Sequence, residues 1–261
     1  MEEIFSFTFL FAVLAGLAIG ILAGLTGMPL GALRLPAVYV MVPTSYVAAG
    51  TNLGIDTLAS LTGSYRYWKG GKIEPWIFLF MGSFSCIGAF LGGYFSRCLP
   101  HKWFLLVIGI VYLYSGLSML WVTISGVSTS GGEESVPEGK KWAGASALWG
   151  FILGFIGGMV GLLMGSLRVP VMIRSMGLAP ALAAGTNIAI SSLTALSGFL
   201  GHCLQRNFDV TVLLIMGLAS MAGAYLGSHL AINLSPLALK RLISSAIILM
   251  ATTLILKSLR M

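Results

Sequence analysis

Charge is what this sequence lacks. Lys and Arg number 15 and Asp and Glu 8, together 9% of 261 residues, where a soluble domain carries about 25%. With 57% hydrophobic residues and so few ionic groups, the chain cannot cover a water-facing surface, which excludes an ordinary soluble domain. Cysteine is scarce as well. Cys86, Cys98 and Cys203 lie in or beside apolar runs without metal-ligand spacing and read as small buried hydrophobes. The phrases HExxH, GxSxG and the P-loop are missing, so the sequence offers no signature of metalloprotease, serine-hydrolase or nucleotide chemistry and does not read as an enzyme. The formal charge of +7 reads as loop bias and membrane orientation rather than as a nucleic-acid surface.

What is there is a series of long uncharged runs. No Asp, Glu, Lys or Arg occurs in 4–33, 75–96, 103–132, 142–167, 175–205 or 210–239. A bilayer core takes about 20 predominantly apolar residues per helix, and each run is long enough. Backbone groups in lipid must be satisfied within the segment, so these runs predict helices and a multi-pass protein of the cell (inner) membrane. The opening MEEIFSF has two acids and no basic stretch, so 4–25 reads as a first spanning helix rather than a cleaved signal.

The chain also repeats itself. GLTGMPLGALRLP (24–36) returns as GMVGLLMGSLRVP (158–170), and AAGTNLGIDTLASLTG (48–63) as AAGTNIAISSLTALSG (183–198). KIEP (72–75) then meets NFDV (207–210), and MGSFSCIGAFLG (81–92) meets MGLASMAGAYLG (216–227). A tandem duplication follows, with a first repeat at 1–125, a solvated cytoplasmic linker rich in Gly, Ser and charge at 126–141, and a second repeat at 142–261. The expected fold is all-α: a polytopic transmembrane bundle of about eight spanning helices, at 4–26, 47–67, 75–97, 103–124, 142–160, 180–204, 208–230 and 237–258. Two broken half-helical segments, 24–43 and 157–180, interrupt it, and Pro29, Pro36 and Pro170 argue for unwinding there. Four crossings per half would make the repeats parallel, and five would make them inverted. Charge counting places the 66–72 loop and the linker in the cytoplasm under either model and leaves the termini open.

Both broken segments carry an arginine, Arg34 in GALRLP and Arg168 in GSLRVP. At a membrane centre each costs roughly 2.5–3.5 kcal/mol on insertion scales. Two readings stand. The arginines face each other across the pseudo-twofold axis and clamp an anion, which suits a planar, permanently charged guanidinium, or they snorkel to an interface. Thr51, Asn52, Thr186 and Asn187, from the repeated GTN, are candidate ligand donors or helix caps. Gly27, Gly31, Gly161 and Gly165 allow close backbone approach. Asp56, whose repeat mate is Ser191, is a candidate for proton or sodium coupling, or else neutralises one of the arginines. His202 reads as interfacial. Small-residue faces such as Gly88–Gly92 with Gly223–Gly227 leave a homodimer open. No cofactor is expected, and the expected partners are a small anion and the lipid bilayer.

At these residues the sequence resembles the sulfite exporter TauE/SafE family. The resemblance covers essentially the whole chain and rests on the doubled Gly-rich phrase running into Pro, the A-x-G-T-N helix start, and the M-G…G-A-x-x-G helix. It implies a secondary transporter or permease of sulfite or an organosulfonate such as sulfoacetate, working without ATP, with an anion channel of the same architecture as the alternative. It carries over to Gly27, Gly31, Thr51, Gly161, Gly165 and Thr186. The chain departs from the family phrase where Arg34 and Arg168 replace aliphatic residues.

Overall fold

The computed structural model describes residues 2–26, 30–42, 44–124 and 143–230, with the isolated positions 248, 252 and 255. Among these the regular elements are helical: α1 (Glu2–Thr26), α2 (Gly31–Met41), α3 (Ser45–Lys69), α4 (Pro75–Tyr94) extended by a 3-10 turn (Phe95–Cys98), α5 (His101–Ile124), α6 (Ala143–Val160), α7 (Gly165–Arg174), α8 (Pro180–Leu204) and α9 (Val210–Leu230). Pro75 and Pro180 open α4 and α8 from the first turn, where a missing N–H costs nothing. Apart from positions 248, 252 and 255 the expected helix at 237–258 lies outside the described residues, as do Gly27, Pro29 and the linker. Pro75–Cys98 and Leu182–Leu204 are long and apolar enough to cross a membrane, and Phe9–Ala23, Gly31–Met41, Lys102–Tyr114, Gly144–Val160 and Val210–Leu226 are shorter apolar stretches.

Pro36 and Pro170 do not unwind the chain where they stand. Pro36 sits inside α2 and position 170 inside α7. One lost hydrogen bond in α2 is offset by the burial of Leu33, Leu35 and Val38 in the main apolar cluster. The unwound residues in the second half are 161–164, ahead of α7, where Gly161 takes φ +76°.

Helix directions follow from where glycines let backbones touch. A methyl at Gly150, Gly154 or Gly158 would strike the carbonyl of Met81, Ser85 or Ala89 in turn, so α6 and α4 run the same way. Gly16 meets Met216 and Gly20 meets Ser220, so α1 runs with α9, and Gly54 with Leu213 and Gly217 with Leu58 align α3 with α9. Gly82 lies at Ile190 and Gly201 at Phe90, which aligns α4 with α8. α3 and α8 are opposed: Gly50 lies against Asn207 and His202, Leu53 against Gly198, and Ser64 bonds Ser192. One set (α1, α3, α9) therefore points against the other (α4, α6, α8).

Each pair of helices with matching sequence is split between the two sets: α1 and α6, α3 and α8, α4 and α9. Because α1 and α3 point the same way, the stretch between them must carry the chain back across the bundle, and the same holds between α6 and α8. That stretch is too short for a full helix, yet α2 and α7, of 11 and 10 residues, span only about 15–17 Å. The glycine faces expected to serve a dimer are used within the chain, since Gly88 and Gly92 meet Phe151 and Phe155 of α6, and Gly223 meets Leu17 of α1. Outward positions such as Leu14, Leu79, Leu148, Leu200 and Leu218 present bare aliphatic surface.

Candidate functional site

The two short helices begin in the interior and lie antiparallel on the long helix that follows each. Arg34, one turn into α2, reaches Asn52 and Asp56 on α3, while Tyr39 near the other end bonds Ser45 at 2.6 Å. Arg168 occupies the same place in α7 and reaches Asn187 and Ser191 on α8. Neither guanidinium snorkels: the residues are 3% and 0% exposed.

The two cradles differ in charge. Arg34 donates through Nε to Asn52 Oδ1 at 2.9 Å, and its Nη2 forms an ion pair with Asp56 Oδ1. Its bidentate edge is thus filled by one amide and one carboxylate from α3. Among the described residues Arg168 has neutral partners only. Nη1 donates to Asn187 Oδ1 at 3.2 Å and Ser191 Oγ at 3.3 Å, and Nη2 to Ser85 Oγ of α4 at 3.2 Å. Its Nε has no hydrogen-bond partner among the described residues. These contacts are long beside the 2.7–2.9 Å typical of a charge-assisted bond. Among the described residues the arginines share no partner, so the single clamp expected from the sequence divides into two separate cradles.

The cradles are tied together through backbone. Asn52 Nδ2 donates to Gly161 O at 2.8 Å and to Gly31 O at 3.3 Å, linking α3 to the unwound stretch of the other half. Gly31 and Gly165 open α2 and α7 because side chains sit where their Cβ atoms would be: the Asp56 carboxylate at Gly31, and Asn187 Nδ2, 2.7 Å from that point, at Gly165. Gly161 combines a positive φ with direct backbone contact on Ala49.

The GTN threonines act elsewhere. Thr51 Oγ1 donates to Val47 O at 2.8 Å and accepts the Asp209 N–H at 2.9 Å, while Thr186 Oγ1 accepts the Glu74 N–H at 2.8 Å. Each fastens the start of one long helix to the turn that follows its mate in the other half. Beside them Gly50 and Gly185 let the carbonyls of Asn207 and Lys72 come close. His202 is in the last turn of α8 and fully buried rather than interfacial. Its Nε2 pairs with Gly158 O at 2.9 Å and its Nδ1 lies 3.4 Å from Ser96 Oγ. The close approach of α6 at Gly158 is what closes the ring off.

Sequence reasoning missed Ser85, Thr194 and Tyr112. Ser85 and Thr194 share a hydroxyl bond of 2.9 Å beside Arg168. The readable signal was repetition, since Ser85 aligns with Ser220 and both are buried. Tyr112 of α5 is buried within electrostatic reach of Asp56 and Arg34; its hydroxyl and Asp56 Oδ2 lack a hydrogen-bond partner among the described residues. No group of three His, Cys, Asp or Glu placed to hold a metal occurs among those residues. A buried, permanently charged guanidinium with a free N–H can bind an oxyanion and cannot act as a base.

The family model of the sulfite exporter TauE/SafE matches residues 12–254. A probable membrane transporter protein, YdhB, of Bacillus subtilis (strain 168) is 25% identical over 205 residues, covering 78% of this chain and 80% of that protein. A second probable membrane transporter protein, y4hK, of Sinorhizobium fredii is 28% identical over 116 residues, 42% of this chain and 45% of that one. No solved structure matches.

Proposed function

The chain belongs to the sulfite exporter TauE/SafE family of membrane transporters, and from that premise we propose that it is a secondary carrier of a small oxyanion, sulfite or an organosulfonate such as sulfoacetate, in the cell (inner) membrane. The observation that carries this reading is a pair of fully enclosed arginines on half-length helices at matching positions of the two halves. Intramembrane arginine is expensive and is kept where it faces a pathway or a ligand. The opposed helix sets support two inverted repeats of five crossings each, with Arg34, Arg168, Asn52 and Asn187 at the interface between them. Gly31, Gly161 and Gly165 let the broken segments close on their neighbours, Thr51 and Thr186 hold the frame, and Asp56 neutralises Arg34. Enclosure favours a carrier over a channel of the same architecture, because a conducting pore would leave the arginines wetted.

The test is uptake of labelled sulfite and sulfoacetate into proteoliposomes carrying the purified protein, with and without the anion preloaded on the inner side. Saturable uptake accelerated by preloading is expected. Uptake of neither anion would refute the substrate class. Uptake indifferent to preloading and linear in concentration would establish the channel.

A further inference from the structure

We infer that the oxyanion binds on the Nε/Nη2 edge of Arg168 alone, flanked by Ser85 of α4 and Ser191 of α8, and that the mate cradle at Arg34 is a built-in copy of the occupied state. This rests on the transport reading and names the residues and geometry of its site.

The same edge is occupied differently at the two equivalent arginines. At Arg34 that edge receives Asn52 on Nε and the Asp56 carboxylate on Nη2. At Arg168, among the described residues, it receives a single serine hydroxyl on Nη2 at 3.2 Å and nothing on Nε. The difference traces to one substitution between the repeats: the position of Asp56 is Ser191 in the second half. Serine stops short of the carboxylate, so the oxygens that α3 brings to Arg34 have no counterpart from α8. The amide has also moved. Asn187 takes Nη1 at Arg168, whereas its mate Asn52 takes Nε at Arg34. The bidentate edge of Arg168 is the one left to an incoming anion.

Burial turns this asymmetry into chemistry. Arg168 is 0% exposed, and its partners among the described residues, Asn187, Ser191 and Ser85, carry no charge. A buried cation without a counter-charge is costly, and the N-terminal end of α7 adds positive potential nearby. An oxyanion with two oxygens free in one plane answers both terms at once. Ser191, which accepts from Nη1, keeps a hydroxyl proton to turn toward the anion, whereas Ser85 is held as an acceptor of Nη2: its own proton goes to Thr194 at 2.9 Å, since Thr194 donates to Ile190 O at 2.7 Å. Sulfite and a sulfonate head both have this shape. Arg34 is already neutralised and contributes to the fold rather than to binding.

Binding of sulfite and of sulfoacetate to the purified full-length protein by calorimetry, alongside thermal unfolding without ligand, tests this. Arg168→Gln is expected to weaken binding about ten- to hundredfold, the usual effect of losing charge-assisted bonds. Ser191→Asp supplies the missing carboxylate, so it should abolish binding and raise the unfolding midpoint without ligand. The double variant Arg34→Gln with Asp56→Asn should bind within about threefold of wild type. Wild-type affinity in Ser191→Asp, or loss of binding in the double variant with Arg168→Gln unaffected, would overturn the inference. A wild type that binds neither anion refutes the proposed substrate class. The Ser191→Asp midpoint then decides the cradle by itself: raised, the cradle accepts an oxyanion; unchanged or lowered, it does not.

Discussion

Replacing Asp56 by Asn should damage this protein far more than its small change in volume implies. Asp56 is 1% exposed and pairs with a guanidinium that is 3% exposed. Removing one member of such a pair leaves the other charge buried and uncompensated, at a cost of about 3–5 kcal/mol. Removing both members together is close to neutral, because the desolvation of both ions disappears with their attraction. For a chain of this size each kcal/mol moves the unfolding midpoint by about 2–4 °C, so Asp56→Asn should lower it by about 6–20 °C. Adding Arg34→Gln should restore most of that loss. Thermal unfolding in detergent, followed by tryptophan fluorescence in wild type, both single variants and the double, completes the cycle. A near-neutral Asp56→Asn would mean that Arg34 does not depend on its carboxylate, and the contrast between the two cradles would collapse. The same experiment on Arg168→Gln should give the opposite sign, neutral or stabilising without ligand, because no counter-charge is orphaned.

Other consequences are separately measurable. Thr51→Val and Thr186→Val keep shape but leave the N–H groups of Asp209 and Glu74 without an acceptor; each should cost about 1–3 kcal/mol, seen as a lower midpoint with anion affinity retained. Gly161→Ala places a methyl on Ala49 from a backbone at φ +76° and should destabilise by at least about 1–3 kcal/mol, visible as loss of the monodisperse protein in detergent. In a background without the native cysteines, Gly70→Cys and Gln205→Cys should label from opposite faces of the membrane with an impermeant maleimide, since the turns after α3 and α8 lie at opposite ends of an antiparallel pair. Labelling of both from one face would remove the inverted arrangement.

Much of the architecture was legible because lipid solvation is a blunt constraint. Uncharged runs of helical length located the long described helices to within a few residues, and repeated phrases located α2 and α7 as special segments. What misled was proline. Its local rule, a lost hydrogen bond and a clash, is sound, yet in α2 burial of the surrounding aliphatics outweighs it, and the break falls on the glycine-led stretch before α7 instead. The polar residues divided along the same line. That Arg34 and Arg168 were exceptional could be read from cost alone, but whether each had a counter-charge depended on which helix lay opposite. Asn52 lies 18 residues from Arg34 and within local reach of a helical hairpin, whereas Ser85 lies 83 residues from Arg168. The GTN threonines looked like ligand donors because a hydroxyl beside a glycine at a helix start suits that role. Their real partners, the amides of Asp209 and Glu74, lie in the opposite repeat and carry no sequence signal, since a backbone N–H belongs to nearly every residue type.

On the proposed reading, the difference between Asp56 and Ser191 also bears on how a carrier with two matching halves would have one substrate site. Two identical halves would place either two carboxylates or none against the paired arginines. With two, both cations are neutralised internally and an anion gains nothing by entering. With none, two uncompensated guanidiniums lie inside one bundle, and each adds its own desolvation penalty before any ligand arrives. One carboxylate resolves the conflict. The first half is charge-complete and holds the frame through Asn52 on Gly161, while the second half remains one negative charge short. Arg168 is already enclosed without a ligand, so on the proposed reading an entering anion adds the compensating charge and should stabilise the closed bundle. By this argument transferring the aspartate, with Asp56→Ser and Ser191→Asp combined, should move the oxyanion site from Arg168 to Arg34. A combined variant that binds no anion while remaining folded would show that the surrounding residues, Ser85 foremost, and not the charge balance, determine which half binds.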